Sequence, residues 1–409
     1  MLTLLTPLQP IHAEQKELPK VVILATGGTI AGAAKSSVDA SYDPGIISID
    51  QIIASVPEAA KIASLQGIQV CNIASQNMQF PVWITLHNLI DSLFTEDVCD
   101  AVVITHGTDT MEETAWFLNL TLRHKSPVVF TGSMRPSTSL SADGPSNLFN
   151  AIALAASADS YGRGVMVVMN EMIWSADDVT KVNTVNVNAF TAPNLGPLGK
   201  MRGGKPEFFR ESLKRHTYNS EFDINSMNPG RINSCEMGIS QIGNRGSSGR
   251  CSNDTGSNNM GSNDTGSNGK MSFPSVEIVY CYAFSSPVVI RALIDSGVDG
   301  IVIAGVGHGN YSDQIATEIN NALKRGIYVV RSSRVLSGGV DEFAEGYNKS
   351  VPVAYSNNPQ KARILLMLAL SSQKVCTGRK SSTTDTGKKS PITEDSESVR
   401  ELQRIFRDY

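Results

Sequence analysis

The stretch Lys20-Val21-Val22-Ile23-Leu24-Ala25, followed at once by Thr26-Gly27-Gly28-Thr29, decides the fold class. The run is almost entirely apolar and leaves no polar face. It therefore reads as a strand buried on both sides, as parallel strands are. Two glycines then let the backbone turn sharply and present the next side chain at the strand's carboxyl end. The signature recurs downstream. Residues 67–73 (GIQVCNI), 101–104 (AVVI), 128–130 and 164–169 (GVMVVM) read as strands. Residues 83–93, 111–122 and 147–156 carry apolar side chains at helical spacing. This alternation predicts an α/β fold built on a doubly wound sheet.

Such sheets bind ligands outside the carboxyl ends of their strands. Polar clusters follow three of the predicted strands: Thr26 to Thr29, Ser75-Gln76 and Thr105 to Thr110. They are expected to converge on one edge of the sheet. From about Pro206 the alternation decays, and residues 243–270 are rich in Gly, Ser and Asn with a direct repeat, SNDTGSN (252–258 and 262–268). With almost no apolar content this segment cannot bury a core and reads as a disordered insertion. A second α/β unit begins at Val276, with strands over 276–280, 300–304 and 328–331 and helices over 287–296, 314–325 and 359–371. The expected organisation is a tail or signal remnant (1–17), a larger N-terminal domain (18–208), a linker with the insertion (209–274) and a smaller C-terminal α/β domain (275–409). The last carries a polar stretch near 377–394 and closes on an amphipathic helix over 399–406.

Composition narrows the function classes. The chain has 409 residues, 41% hydrophobic and 18% charged, with a net charge of −4, so no basic excess points to a nucleic-acid partner. Cysteines stand at 71, 99, 235, 251, 281 and 376 without a CxxC pair, so no metal site is expected. A Cys235–Cys251 bridge stays open for an oxidising compartment. No apolar run is long enough to span a membrane. The N-terminus, MLTLLTPLQPIHAEQ, reads as the worn end of a secretory signal with cleavage after Ala13. The expected location is periplasmic or secreted, with the cytoplasm as the alternative.

Three constellations carry chemistry. In Thr26-Gly27-Gly28-Thr29-Ile30-Ala31, Thr29 is either a reactive hydroxyl or a helix cap. The spacing G-G-x-x-x-G does not fit a dinucleotide loop. Thr105 to Ala115 (THGTDTMEETA) opens a helix, where Asp109 suits the positive end of the dipole. Its density of hydroxyls and carboxylates exceeds what capping needs. The third is Asp178-Val179-Thr180-Lys181, whose lysine matters only if it lies beside Thr108 and Asp109.

TGGTIA and THGTDTMEETA, with GSMRPSTSLSADGPSNL (132–148) and DVTKVNT (178–184), occur in this order and together resemble the bacterial type II L-asparaginase family. The resemblance covers roughly residues 18–230 and 274–373, where SSRV (332–335) and NPQKAR (358–363) also match, and resumes in RELQRIFRDY (400–409). It implies an amidohydrolase that converts L-asparagine to L-aspartate and ammonia without a cofactor, with a mixed glutaminase–asparaginase or a weakly catalytic binding paralogue as alternatives. Thr29 is then the nucleophile, with Tyr42 beside it. Thr108, Asp109 and Lys181 form a second catalytic group. Ser75 and Gln76 bind the charged ends of the substrate, Ser75 its carboxylate and Asp109 its ammonium, and the backbone of Ser133 holds the leaving amide. A glutamate from a neighbouring subunit completes the site: Glu345, or Glu342 as the fallback. A homotetramer follows from the resemblance alone. Lys181 reads as an electrostatic anchor rather than the base, because a neighbouring carboxylate stabilises an ammonium. The chain departs from the family at Phe284, where a small polar residue near the substrate is expected, and in lacking a cysteine partner for Cys99 near His124.

Deleting residues 243–270 is expected to leave the melting temperature and turnover as they are, since those residues bury almost nothing. Thermal unfolding and an ammonia-release assay on the shortened chain check this, and loss of either property contradicts the reading.

Overall fold

The computed structural model describes residues 17–34, 36, 42–43, 45–224, 273–343, 347–372, 375 and 390–409. The insertion at 243–270, the N-terminal residues 1–16, Cys235, Cys251, Cys376 and residues 377–389 lie outside the described residues.

Strand β1 (Lys20–Gly27) opens the larger sheet, and a short antiparallel pair follows, β2 (Ala33–Ala34) with β3 (Tyr42–Asp43). The chain then alternates: α1 (Ile49–Ala54), β4 (Ser64–Ile73), α2 (Phe80–Thr95), β5 (Ala101–Thr105), α3 (Met111–Thr121), β6 (Val128–Thr131), α4 (Gly144–Ala155) and β7 (Val165–Met169). Next come β8 (Met172–Ser175), a separate pair β9 (Thr180–Lys181) and β10 (Phe190–Thr191), and the hairpin β11 (Gly199–Arg202) with β12 (Lys205–Phe208). The sheet order is β12-β11-β8-β7-β6-β5-β1-β4. Strands β4, β1, β5, β6 and β7 are parallel, whereas β8, β11 and β12 extend the sheet antiparallel.

Both faces of the parallel part are covered, which is why its strands are apolar throughout. Val22 and Leu24 of β1 join Val102 and Ile104 of β5 in the core shared with α2 and α3. Val21, Ile23 and Ala25 face the other way, into the core shared with α1 and α4. The expected doubly wound sheet is therefore present. Its antiparallel end was not foreseen, because β8, β11 and β12 are four residues each. Alternation over so few positions gives no readable period.

The smaller unit holds β13 (Val276–Tyr280), α5 (Val288–Ser296), β14 (Gly300–Gly305), α6 (Asp313–Lys324), β15 (Tyr328–Ser333), α7 (Pro359–Ser371) and α8 (Glu397–Asp408). Its three strands are parallel in the order β13-β14-β15. Helix α7 starts where its sequence says it should. Asn358 caps it by accepting the Lys361 N–H at 3.0 Å, and Pro359 occupies its first turn. The helix is apolar nearly all round and packs against α3, so α2, α3, α7 and the small sheet share one core. The Trp116 indole N–H of α3 donates to the Lys361 carbonyl at 3.2 Å across this seam. Among the described residues no helix is long and apolar enough to cross a membrane.

Candidate active site

Strand β1 lies between β4 and β5, with Ala25 opposite Thr105. The chain runs from β1 outward to β4 and then back across β1 to β5, so the topological switch lies at β1. All three polar clusters therefore leave adjacent strands at the same edge. Glycines let them pack backbone to backbone. Gly28 has φ +80°, and a Cβ there would lie 2.5 Å from both N and Cα of Gly107. A Cβ on Gly107 would in turn lie 2.7 Å from Cβ and Oγ of Ser75. No side chain fits either gap. Thr29 follows directly, opening the 3-10 turn Thr29–Ala31, and is 7% exposed.

Hydrogen bonds tie the loops further. The Asp109 N–H donates to Ser75 Oγ at 3.2 Å, and the Thr110 hydroxyl donates to the Ser75 carbonyl at 2.8 Å. Lys181 arrives from β9, and its Nζ donates to Thr108 Oγ1 at 2.8 Å and Asp109 Oδ1 at 2.6 Å. The expected Thr108–Asp109–Lys181 group is thus assembled in space from residues more than seventy positions apart. Thr108 is buried, whereas the Asp109 side chain is 59% exposed. One carboxylate oxygen faces Lys181 while much of the group stays open to an incoming cation.

His106 sits below this loop, fully enclosed. Its Nδ1 lies 2.7 Å from the Gly107 carbonyl and its Nε2 3.0 Å from Thr114 Oγ1, which also accepts the Trp83 indole N–H at 2.8 Å. Burial pushes the imidazole down to about 4. The neutral ring therefore carries its proton on Nδ1, for the Gly107 carbonyl, and accepts from Thr114 on Nε2.

The remaining expected site residues fall as follows. Gln76 is exposed beside Ser75. Ser133 is buried; its hydroxyl donates to the Arg135 carbonyl at 2.8 Å, and Asp143 accepts the N–H groups of Met134 and Arg135, each at 3.0 Å. A Cβ on Gly144, at the start of α4, would meet Ile30 at 3.2 Å and Ser133 Cβ at 3.6 Å, which brings the Ser133 loop close to the Thr29 turn. Tyr42 lies on β3, but its side chain lies outside the described residues, as does Glu345. Glu342 is held within its own chain by the Tyr355 hydroxyl and, at 2.6 Å, by Arg407. Phe284 occupies a turn with φ +62° and projects wholly into solvent, so within this chain it fills no pocket. Cys71, Cys99 and Cys281 are buried thiols outside any disulfide, and Cys71 Sγ donates to the Thr26 carbonyl at 3.4 Å.

Sequence reasoning missed a second layer. The Glu112 carboxylate accepts the Lys181 N–H at 2.6 Å, the Gln360 amide at 2.9 Å and the Asn358 amide at 3.1 Å. Lys361 is fully buried, and its Nζ donates to the Val179 carbonyl at 2.7 Å. Burial pulls that ammonium down, opposed by Glu112, Asp177 and Asp178. Glu112, Lys181, Asn358, Gln360 and Lys361 sit inside three motifs quoted above, but nothing in any of them says that they meet.

Two family models match the chain: "Asparaginase, N-terminal" over residues 20–214 and "Glutaminase/Asparaginase C-terminal domain" over residues 275–378. The chain is 42% identical to L-asparaginase 2 of Escherichia coli over 359 residues, covering 87% of this chain and 90% of that one. It is 40% identical to a probable periplasmic L-asparaginase of Haemophilus influenzae over 364 residues, 88% and 91% of the two chains. Among solved structures it is similar to a probable cytoplasmic L-asparaginase from Campylobacter jejuni. That match has a TM-score of 0.76 and 36% identity, and covers 96% of this chain and all of that one.

The enclosed His106 makes stability depend on pH. An unfolded histidine takes a proton near pH 6.5, whereas the folded ring resists protonation down to about 4. Stability is therefore full above pH 6.5 and falls as the pH drops from 6.5 towards 4. Replacing His106→Asn is expected to flatten that fall by up to about 1.4 kcal/mol per pH unit. His87, pushed down to about 4 by burial as well, continues to contribute. Urea unfolding at several pH values reads the difference, and identical slopes for variant and parent refute it.

Proposed function

This chain belongs to the asparaginase family, and on that footing we propose that it hydrolyses the side-chain amide of L-asparagine to L-aspartate and ammonia through a covalent acyl–threonine. The observation that carries the reading is the seating of Gly28 on Gly107, which sets the Thr29 turn against the loop bearing Thr108 and Asp109. The Thr29 hydroxyl attacks the amide carbon and loses its proton as the C–O bond forms. A threonine is a weak nucleophile until that proton is taken, and Tyr42 is the group proposed to assist. Backbone N–H groups at the glycine-flanked turns suit the developing oxyanion. The amide nitrogen leaves as ammonia near the Ser133 backbone, and water then releases L-aspartate from Thr29.

Recognition of a free amino acid needs both its charges. Ser75, with Gln76 beside it, is proposed for the carboxylate and Asp109 for the ammonium. Lys181 is the electrostatic anchor that holds Thr108 and Asp109 in register, supported by its two short contacts. Glu345 is proposed to enter the site of a neighbouring subunit in a homotetramer; Glu342, already engaged by Tyr355 and Arg407, is the weaker choice. The exposed run Tyr280, Tyr282, Phe284, Val288 and Val289 in the second unit suits burial against another copy. A periplasmic or secreted location fits the apolar N-terminal stretch and the relative named periplasmic. The description of the C-terminal family model favours L-glutamine as a second substrate. One methylene separates the two amides, which pockets discriminate by only about 1–3 kcal/mol. The ratio of kcat/KM for the two amides decides between them.

Two substitutions test the reading. Thr29→Ala is expected to lower kcat by at least about 10⁴-fold while the protein still melts cooperatively; an ammonia assay that finds it active removes Thr29 as nucleophile. Asp109→Ala is expected to raise KM about 10–100-fold, since a charge-assisted hydrogen bond is worth about 1.5–3 kcal/mol. An unchanged KM rules out pairing with the substrate ammonium.

A further inference from the structure

Lys181 sits on a strand of two residues. Its ladder with β10 is only Lys181 opposite Phe190 and Thr180 opposite Thr191. So short a pairing does not by itself fix an ammonium to within a few tenths of an ångström. The fixing contacts come from elsewhere, and the one that holds its backbone comes from Glu112.

Glu112 stands in the first turn of α3, where the helix dipole alone explains an acidic residue. Its carboxylate, however, turns away from its own helix. Oε2 accepts the Lys181 N–H at 2.6 Å. Oε1 accepts from Gln360 at 2.9 Å, Asn358 at 3.1 Å and the Thr180 hydroxyl at 3.5 Å. The group is 4% exposed, so these bonds form where water does not compete. Both ends of Lys181 are thereby referred to one stretch of chain, its backbone N–H to residue 112 and its Nζ to residues 108 and 109. Of the other donors, the two amides come from the N-terminus of α7, in the second unit, and the Thr180 hydroxyl comes from β9.

We propose that Glu112 is a positioning residue for Lys181: its buried carboxylate, held by Asn358 and Gln360 of the second unit, sets where the ammonium meets Thr108 and Asp109. This rests on the reading of Thr108, Asp109 and Lys181 as part of the reacting group. It gives the second unit a part in catalysis within its own subunit. Docking of α7 onto α3 completes the acceptor's shell, and misdocking loosens the lysine.

The test is a set of variants of the full chain assayed with L-asparagine, each also followed by thermal unfolding. In Glu112→Gln the single carbonyl oxygen stays with the three donors on the Oε1 side, and the NH2 faces the Lys181 N–H, which loses its acceptor. A displacement of about 1 Å at a reacting group lowers rates by about 10²-fold, and a fall of that order in kcat is expected. KM should change by less than about threefold, because the Asp109 backbone stays bonded to Ser75 Oγ independently of the lysine. Adding Gln360→Glu gives that NH2 an acceptor on the α7 side, so the amide turns and its oxygen again accepts the Lys181 N–H, and at least about a tenfold recovery of kcat is expected. A purely structural loss would show neither the split between kcat and KM nor the recovery. If Glu112→Gln does not fold, Gln360→Ala, at a less buried position, takes its place. A kcat lowered several-fold with a normal melting temperature then supports the proposal, and an unchanged kcat overturns it. Lys181→Met separates the two levels. If it is inactive while Glu112→Gln turns over normally, the positioning role is wrong and the reacting group stands. If Lys181→Met is fully active, the reacting group itself is wrong and the positioning role falls with it.

Discussion

The site rests on one contact between backbones: Gly28, leaving β1, lies against Gly107, leaving β5, with no room for a Cβ between them. Parallel pairing sets the two strands side by side, but pairing ends at Ala25 and Thr105. Beyond it the chains would normally diverge, each loop kept off the other by its side chains. Two glycines remove that spacing, and a second close approach, Gly107 to Ser75, brings in the loop after β4. Thr29, Ser75, Thr108 and Asp109 consequently leave one small area of the sheet edge. Substituting either glycine acts through excluded volume and, at Gly28, through a positive φ as well.

Electrostatics then builds outward from that contact in layers of decreasing exposure. Asp109 is open to solvent, Lys181 lies behind it, Glu112 behind Lys181, and Lys361 is wholly enclosed. Buried charges are costly unless paired and hydrogen-bonded. Here a carboxylate has donors on both oxygens, and a lysine donates a hydrogen bond to a backbone carbonyl close by. The arrangement is intolerant of partial loss, since removing one partner leaves another charge without compensation. Such a layer defines the seam between the two units more sharply than apolar packing of α3 on α7 does, because hydrogen bonds fix direction as well as distance.

The motifs around Thr29 and Thr108 were legible because each sits beside a strand or helix whose period is strong, whereas Lys181, on a two-residue strand, was legible only through its motif. Strand β1 shows no polar face, α3 begins directly after a polar cluster, and Asn358-Pro359 marks the start of α7. The helix over Ile49–Ala54 and the strands β8, β11 and β12 were not legible, being too short for any period to stand out. The outward projection of Phe284 was not legible either. A motif gives the order of residues along the chain, whereas the outward projection of Phe284 comes from a left-handed turn that holds it away from its own core.

By itself, the sequence determined the α/β class, the order of the longer elements, the strand ends that carry polar clusters and the family those clusters resemble. These are local properties, set by the spacing of apolar residues and by glycines next to strands. Only the tertiary structure decided that Lys181 reaches Asp109 across seventy-two positions, and that Glu112 is held by residues two hundred and forty-six and two hundred and forty-eight positions away. A carboxylate in the first turn of a helix looks the same in sequence whether it caps a dipole or anchors a lysine. Which it does depends on what the folded chain packs beside it.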